Sequence, residues 1–203
     1  MEHYYIDDRC IRFDSVNHAY FIDDKPILSI SQIVRELYGN PYKRVDPEIL
    51  KKAALKGNAL KDMILDYETH DIKTFHVEMQ GYIAIKRHHQ FVMIESSPLV
   101  LLKHHGAIIA AGRFDMIVQS PFIDGLGLVG IRRMAHIHEE QLKLQLNLYK
   151  LAYEQTYKKR VSYIKCIHIR NRNHTYLDIA VDSSFVKEKL DLFVKTHPID
   201  YTF

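Results

Sequence analysis

Three short segments in the second half of the chain carry side chains that could act together on a phosphate. Gly112–Val118 is an apolar run that holds one carboxylate, Asp115, and Leu128–Arg133 is a second apolar run that ends in basic residues. Gln145–Tyr149 follows, and its first and last residues lie one helical turn apart on one face. A carboxylate is a ligand that Mg²⁺ prefers, and Arg132 could bind a phosphate bidentately.

The patterns around these segments predict the elements that must position them. Alternating apolar residues over 10–28 indicate a β-hairpin. Further strands are expected over 91–94, 99–103, 107–118, 126–132, 161–169 and 175–181. Helices are expected over about 30–37, 46–67, 76–90, 138–157 and 184–196. This order predicts a mixed α/β fold in which helices flank a central sheet.

The second of these helices has a clear start and one unusual residue. Asp46 is expected to cap it and Pro47 to occupy its first position. Its apolar residues predict a buried stripe of Ile49, Leu50, Ala53, Leu60, Ile64 and Tyr67. Gly57 costs about 1 kcal/mol relative to alanine inside a helix. We therefore expect another backbone or a ligand to approach closely at Gly57.

Composition and charge set the general class. The chain of 203 residues is 47% hydrophobic and 26% charged, which is typical of a globular protein. No linker divides it, so we expect one domain, 1–203, with a hairpin and helical part, 1–90, before an α/β core, 91–203. The polar start and the lack of a long apolar span predict no membrane partner. The net charge of +3 permits a nucleic-acid partner without requiring one.

Cysteine usage bears on the compartment. Cys10 and Cys166 are far apart in the chain, both lie in alternating apolar surroundings, and no CxxC pair occurs. We expect both thiols to be buried as small apolar groups in a reduced, cytoplasmic setting.

The three segments, in this order, resemble the motifs of the PD-(D/E)XK nuclease superfamily, in particular its RecB-like and phage exonuclease-like branch. The family pattern is Gly-x-x-x-His on a helix, a glutamate after the third helix, Gly-x-x-Asp and Asp-x-Lys on two strands, and Gln-x-x-x-Tyr on the next helix. Gly112 to Asp115 and Gln145 to Tyr149 match directly, and the likeness extends from Leu28–Val34 to the last helix. It implies a restriction-endonuclease-like domain with a magnesium site at Asp115.

Four positions depart from the family pattern. Gly130 stands at the second carboxylate, Arg132 at the lysine, Lys61 at the histidine and Ser96 at the glutamate. Glycine offers no side-chain oxygen, and an arginine stays protonated and binds phosphate rather than positioning a water. The resemblance therefore implies a remnant catalytic site, with Mg²⁺ or Mn²⁺ absent or weakly held. Its members are Asp115, Arg132, Gln145 and Tyr149, with Asp115 as the metal ligand.

An acidic ligand could have moved to another position. Glu95 lies next to Ser96, but it could serve only if the strand shifted by one residue, which would reverse its face. Asp124, Glu139 and Glu140 are further candidates. A turn aspartate and two acids at a helix start also have ordinary explanations.

Histidines do not predict a separate metal site. The chain has 13 of them, including the pairs His88-His89 and His104-His105 and the spacing His136-x-His138. None has the His-x-x-x-His or His/Cys spacing of a metal centre, so we expect surface histidines.

A basic run indicates a second way to contact phosphate. Residues 155–177 contain no acidic side chain. The candidate nucleic-acid-binding residues are Arg113, Arg133, Lys158, Lys159, Arg160, Lys165, Arg170 and Arg172. With Arg132 and Lys61 they could line a groove that contacts a phosphate backbone. The alternative is a solvated strand edge protected by charge.

Three functions follow from these observations. The first is a catalytically impaired nuclease-family protein, encoded by a phage or prophage, that binds DNA or a protein partner as an adaptor or inhibitor of nucleic-acid machinery. It would act in the cytoplasm, which is that of the host if a phage encodes it. The second is an active Mg²⁺- or Mn²⁺-dependent DNA exonuclease or endonuclease with moved ligands. The third is an interaction subunit that never touches nucleic acid. The oligomeric state is open.

Overall fold

The computed structural model describes residues 2–72 and 74–197, which form eleven strands and five helices. The strands are β1 (Glu2–Ile6), β2 (Arg9–Asp14), β3 (Ala19–Ile22), β4 (Lys25–Ser29), β5 (Val92–Ser96), β6 (Leu99–His104), β7 (Ala107–Arg113), β8 (Met116–Ser120), β9 (Ile123–Arg132), β10 (Val161–Arg170) and β11 (Asn173–Ile179). The helices are α1 (Ile30–Tyr38), α2 (Pro47–His70), α3 (Val77–His89), α4 (Glu139–Tyr157) and α5 (Ser183–Thr196).

Two mixed sheets form the centre of the described residues. One has the order β1-β2-β3-β4-β7-β6 and the other the order β11-β10-β9-β8-β5. Most neighbours are antiparallel, whereas β4 with β7 and β9 with β10 are parallel. The mixed α/β class predicted from the sequence is confirmed. The hairpin predicted over 10–28 is part of a four-stranded antiparallel meander, in which β1 was not expected.

A long hairpin runs through both sheets and is broken beside Asp115. The β5–β8 ladder ends at Ser96, and β6 begins after Pro98, which has no N–H for a ladder. Between them Ser97 adopts a left-handed conformation, and its N–H donates to the carbonyl of Asp115 at 2.9 Å. The single strand predicted over 107–118 is therefore wrong, because it is two strands. Because of this break, Asp115 belongs to neither the β6–β7 ladder nor the β5–β8 ladder.

Helix α1 follows directly from its sequence. The Ser29 hydroxyl accepts from the Gln32 N–H at 3.1 Å, and the Gln32 side chain accepts from the Ser29 N–H at 2.6 Å. This capping box fixes the start of the helix. Ile30, Ile33 and Val34 then face the core, as predicted.

A small cluster of buried residues that includes Ile11 and Leu101 lies on the first sheet, and larger ones cover both sides of the second sheet. Helices α1, α4 and α5 cover one side, where Cys166 packs among the buried residues. Helices α2 and α3 cover the other side, with Leu60, Ile64 and Tyr82. Burial raises the pKa of the Cys166 thiol to about 11, in keeping with an inert apolar role. The burial predicted for Cys10 is only partial, because it lies near the rim of the first sheet.

Helix α2 begins as predicted but is buried only in its second half. The Asp46 carboxylate accepts from the Glu48 N–H at 2.7 Å, while Leu60 and Ile64 are buried. Ile49 is 60% exposed, Ala53 is exposed and Leu50 is only partly buried. The buried stripe predicted from residue 49 onward is therefore wrong for the first turns of the helix.

Gly57 also departs from expectation. A Cβ atom added there would meet nothing within 4 Å, so the close approach of another backbone predicted at this glycine is wrong, and that of a ligand stays a prediction. Among the described residues no helix is long and apolar enough to cross a lipid bilayer.

Candidate functional site

Asp115 lies at the break of the long hairpin, and cationic groups contact both of its carboxylate oxygens. Lys61 Nζ is 2.6 Å from Oδ1, and Arg132 Nη1 is 3.1 Å from Oδ2. The backbone N–H of Ile131 also donates to Oδ2, at 2.6 Å. Lys61 comes from α2, whereas Arg132 is the last residue of β9. Three elements therefore converge on one carboxylate.

These contacts keep Asp115 ionised although its side chain is only 9% exposed. Burial by itself raises the pKa of a carboxyl group, because it disfavours the charged form. The charges of Lys61 and Arg132, with the hydrogen bonds from Lys61 and the Ile131 N–H, outweigh burial and lower the pKa of Asp115. The site thus holds one carboxylate between two cations.

A chain of hydrogen bonds extends from Asp115 through Arg132 to helix α4. Arg132 Nη2 donates to Gln145 Oε1 at 2.9 Å, and Gln145 Nε2 donates to Ser31 Oγ at 2.9 Å. The Ser31 hydroxyl in turn lies 3.4 Å from the hydroxyl of Tyr149. The structure therefore brings together the four residues of the predicted remnant site.

Ser31 was missed as a member of this site. In the sequence it stands between helix-start signals, where a hydroxyl is expected to act as a cap. Ser29 performs the capping, so Ser31 is free to bridge Gln145 and Tyr149. The sequence signal that could have identified Ser31 is that two serines, at 29 and 31, stand where one is enough to cap the helix.

Two glycines allow the close packing that shapes the site. A Cβ at Gly112 would lie 2.7 Å from the Tyr149 ring, so the strand can approach the helix only with glycine there. A Cβ at Gly130 would lie 2.8 Å from Leu146 Cδ2 and 3.5 Å from Arg132 Nη1. The guanidinium of Arg132 thus lies beside the position from which a second carboxylate would project.

The donor set does not fit the magnesium ion that the family resemblance implies. Mg²⁺ requires near-octahedral oxygen coordination, with one or two carboxylates as the usual protein ligands. Asp115 and the exposed Asp62 are the carboxylates that line this cleft among the described residues, and both oxygens of Asp115 are in contact with protein cations. Gly130 adds no oxygen, and Lys61 and Arg132 would repel the ion. We derive no metal-dependent step from this site.

Glu95 and Ser96 lie on opposite faces of β5. Ser96 pairs with Met116 and lines the cleft beside Asp115, whereas Glu95 accepts from the Tyr153 hydroxyl at 3.0 Å. The structure therefore places the serine at the family's glutamate position. It does not bring Glu95 to Asp115, contrary to the moved-ligand hypothesis.

The other acidic candidates also lie away from Asp115. Asp124 is the second residue of β9, whereas Arg132 is the last, so at about 3.3 Å per residue they are about 26 Å apart. Glu139 and Glu140 are exposed in the first turn of α4. The moved-ligand hypothesis is therefore wrong for Asp124, and none of these three acids contacts Asp115 among the described residues.

A cavity of about 290 Å³ adjoins Arg132 on the side away from Asp115. Its lining includes Arg35, Tyr42, His138 and Gln145, and none of its described lining residues is acidic. A smaller cavity of about 70 Å³ lies between Lys61 and Asp115. Arg132 therefore connects the buried carboxylate to an open, cationic space that an anion could enter.

Two of the predicted nucleic-acid contacts are already used in ion pairs. Arg133 Nε donates to both oxygens of the buried Glu78, at 3.0 and 2.8 Å, and the Asn171 N–H donates to Glu78 at 2.6 Å. Lys165 pairs with Asp178 across β10 and β11. Burial acts to raise the pKa of Glu78, but the bonds from Arg133 and Asn171 outweigh it and lower that pKa. These residues hold elements together.

Arg113 turns away from the Asp115 carboxylate. Its Nε donates to the Ser97 carbonyl at 3.1 Å, and its Nη1 lies 2.9 Å from Glu2. His18 lies within electrostatic reach of both Arg113 and Lys61. Burial first, and then those two positive charges, lower the pKa of His18.

The remaining basic residues lie in two groups, one at each end of strand β10. Lys158, Lys159 and Arg160 precede β10, whereas Arg170 and Arg172 lie at its far end, beyond the partner of Arg132. Ten residues of strand separate the two groups by about 33 Å. The two groups therefore lie at opposite ends of the strand, and a single groove through all of them stays a prediction. Arg170 and Arg172 lie at the same end of the sheet as Arg132, and the other group lies at the opposite end.

Comparison with known proteins gives little further information. No family model and no curated protein matches this chain. One solved structure, described as the crystal structure of SSO0001, has a TM-score of 0.46 and 14% sequence identity. The alignment covers 87% of this chain and 78% of that protein.

Proposed function

We propose that this protein is a nuclease-like nucleic-acid binder that does not cleave, and that it holds the phosphate backbone at the cleft of Asp115, Lys61 and Arg132. The observation that carries this proposal is the pair of cations on one carboxylate. In a metal-dependent nuclease a metal ion stabilises charge on the phosphate. Here two cationic side chains contact the carboxylate instead, so the site can attract a phosphate without a metal ion.

The charges at the cleft favour an anionic ligand. Lys61 and Arg132 balance the carboxylates of Asp115 and the exposed Asp62, and the adjoining cavity adds the positive charge of Arg35 without adding a described acid. Side-chain exposure of 43% for Lys61 leaves it accessible. Exposed cations that neutralise phosphates release counterions, and this release drives binding to a nucleic-acid backbone.

The order of the motifs supports a PD-(D/E)XK ancestry. Gly112 and Asp115 lie at the hairpin break, Gly130 and Arg132 on the adjacent strand, and Gln145 and Tyr149 on the following helix. Their contacts form one connected network, as the family pattern would require. We include the role of phage or prophage adaptor or inhibitor in this proposal, because the sequence resembles the phage exonuclease-like branch.

A binding and cleavage experiment tests the proposal. Fluorescence anisotropy with labelled single- and double-stranded DNA should show binding that weakens steeply with salt. The same DNA should stay intact in Mg²⁺ or Mn²⁺. Metal-dependent degradation that is lost in Asp115→Ala would establish the active nuclease instead. Absence of binding to DNA or RNA at low salt would instead favour the third hypothesis, an interaction subunit that never touches nucleic acid.

A reconstruction of the family motif provides the converse test. The triple variant Lys61→His, Gly130→Asp, Arg132→Lys restores three ligand and helper positions, and we expect it to bind Mn²⁺ more tightly than the parent. Because a Cβ at residue 130 meets Leu146, the variant is compared with Lys61→His, Gly130→Asn, Arg132→Lys, which has nearly the same side-chain volume at residue 130 and no carboxylate. If both folded variants bind Mn²⁺ equally weakly, the ancestry argument fails.

A further inference from the structure

The turn between β6 and β7 and helix α5 bring together three potential metal ligands. His104 is the last residue of β6, His105 follows it, and Asp191 lies in α5, far along the chain. One ligand atom from each of the three side chains lies within 4.8 Å of the others. We propose that these residues bind a divalent transition-metal ion of the zinc class. This site is separate from the Asp115 cleft and does not depend on the proposed function.

The distance between two of the ligands matches tetrahedral coordination. His104 Nε2 is 3.5 Å from Asp191 Oδ1. With bonds of 2.0–2.2 Å, two donors on a tetrahedral zinc ion are about 3.4 Å apart. The His105 ring centroid is 4.2 Å from that of His104, and the His105 side chain is exposed. The third donor, on the His105 ring, lies within 4.8 Å of the other two.

The ligand chemistry selects the metal class. Two imidazoles and one carboxylate suit zinc and its neighbours, whereas Mg²⁺ and Ca²⁺ prefer oxygen ligands alone. An open cavity of about 290 Å³ adjoins the histidines, so water can complete the fourth position.

One cation competes for the carboxylate. Lys187 Nζ is 3.8 Å from Asp191 Oδ2, but its side chain is 77% exposed and can turn into solvent. A bound ion would join the β6–β7 turn to α5, two segments that no sequence spacing relates. The consequence is a metal clip that stabilises the folded chain, because an ion that binds only the native state shifts the unfolding equilibrium.

Metal titration of the tag-free, metal-stripped full chain tests this site. Calorimetry with Zn²⁺ should show one saturable equivalent, and Zn²⁺ should raise the Tm while Mg²⁺ does not. Asp191→Asn, at an exposed position, and His104→Ala should each weaken Zn²⁺ affinity at least tenfold. Lys187→Met should retain or strengthen binding, because it removes the competing charge.

The pair His88-His89 is the matched control. Its rings are also adjacent, with centroids 4.7 Å apart, but no described carboxylate completes a three-ligand group there. The double variant His88→Ala, His89→Ala should bind Zn²⁺ like the parent. Absence of saturable binding, or parental affinity in Asp191→Asn, would overturn the proposal. Loss of Zn²⁺ binding in the control variant would also overturn the proposal, because the ion would then bind at His88 and His89.

Discussion

Arg132 changes what a carboxylate such as Asp115 can do. A lysine two residues after a second carboxylate would leave room for an ion between strands. Arg132 instead donates to Asp115 with one terminal nitrogen and to Gln145 with the other. Its planar guanidinium suits two directed contacts at once, whereas a lysine is a point charge. Arg132 therefore places a permanent, orientated cation beside Asp115.

The two cations on Asp115 should differ in their effect on stability. Removing one partner of a buried ion pair leaves an uncompensated charge and costs about 3–5 kcal/mol, whereas an exposed pair contributes less than about 1 kcal/mol. Arg132 is 14% exposed and Lys61 is 43% exposed. We expect Arg132→Met to lower the free energy of unfolding by about 3 kcal/mol and Lys61→Met by less than 1 kcal/mol.

Urea denaturation of both variants measures this difference. Adding Asp115→Asn to Arg132→Met should recover part of the lost stability, because the unpaired charge is then removed. Equal losses in the two single variants would contradict the assignment of Arg132 as the buried partner.

Among the elements, those with local signals were predictable from the sequence. The capping box of Ser29 and Gln32 fixes α1, and the Asp46-Pro47 start fixes α2. The burial of α2 was not predictable, because periodicity shows which residues share a face but not where the neighbouring elements end. Leu60 and Ile64 pack against α3, while Ile49 has the same spacing and stays exposed.

Helix α5 depends on its N-cap residue, Asp182, for both its start and its attachment to α4. The Asp182 carboxylate accepts from the Phe185 N–H at 3.0 Å and from Lys143 Nζ at 2.7 Å. Asn147 completes the attachment, because its side chain accepts from the Asp182 N–H at 3.0 Å. The hydrogen bonds from Lys143, Phe185 and Ser184 lower the pKa of Asp182 to about 2.

This lowered pKa predicts how the contribution of Asp182 varies with pH. The group is more acidic in the folded protein than in the unfolded chain, whose aspartates titrate near about 3.9. Its stabilising effect is therefore complete above that value and is lost as the pH falls towards 2. We expect the difference in unfolding free energy between the parent and Asp182→Asn to shrink from pH 6 to pH 2. A difference that stays constant over this range would refute the assignment.

At the scale of the whole molecule, the order of residues in the chain does not show at which end of the sheet a charged side chain lies. The sequence predicted one groove from a run of basic residues without acids. The run passes along β10 from one end of the sheet to the other, so its ends are separated by the length of the strand. Parallel pairing with β9 then assigns Arg170 and Arg172 to the same end of the sheet as Arg132, because His168 pairs with Arg132. That pairing is long-range, and no local pattern reports it.

The division of charge predicts which substitutions weaken nucleic-acid binding. Arg170 and Arg172 are exposed at the cleft edge, whereas Lys158 and Lys159 lie at the opposite end of the sheet with the same net charge. Each phosphate contact contributes about 0.9 to the slope of log K against log salt on duplex DNA. The double variant Arg170→Glu, Arg172→Glu should therefore bind DNA more weakly and lose about two units of that slope. Lys158→Glu, Lys159→Glu makes the same change in total charge, so it should keep nearly the parental slope. If the two double variants weaken binding alike, overall charge determines affinity, and the cleft edge is not the binding surface.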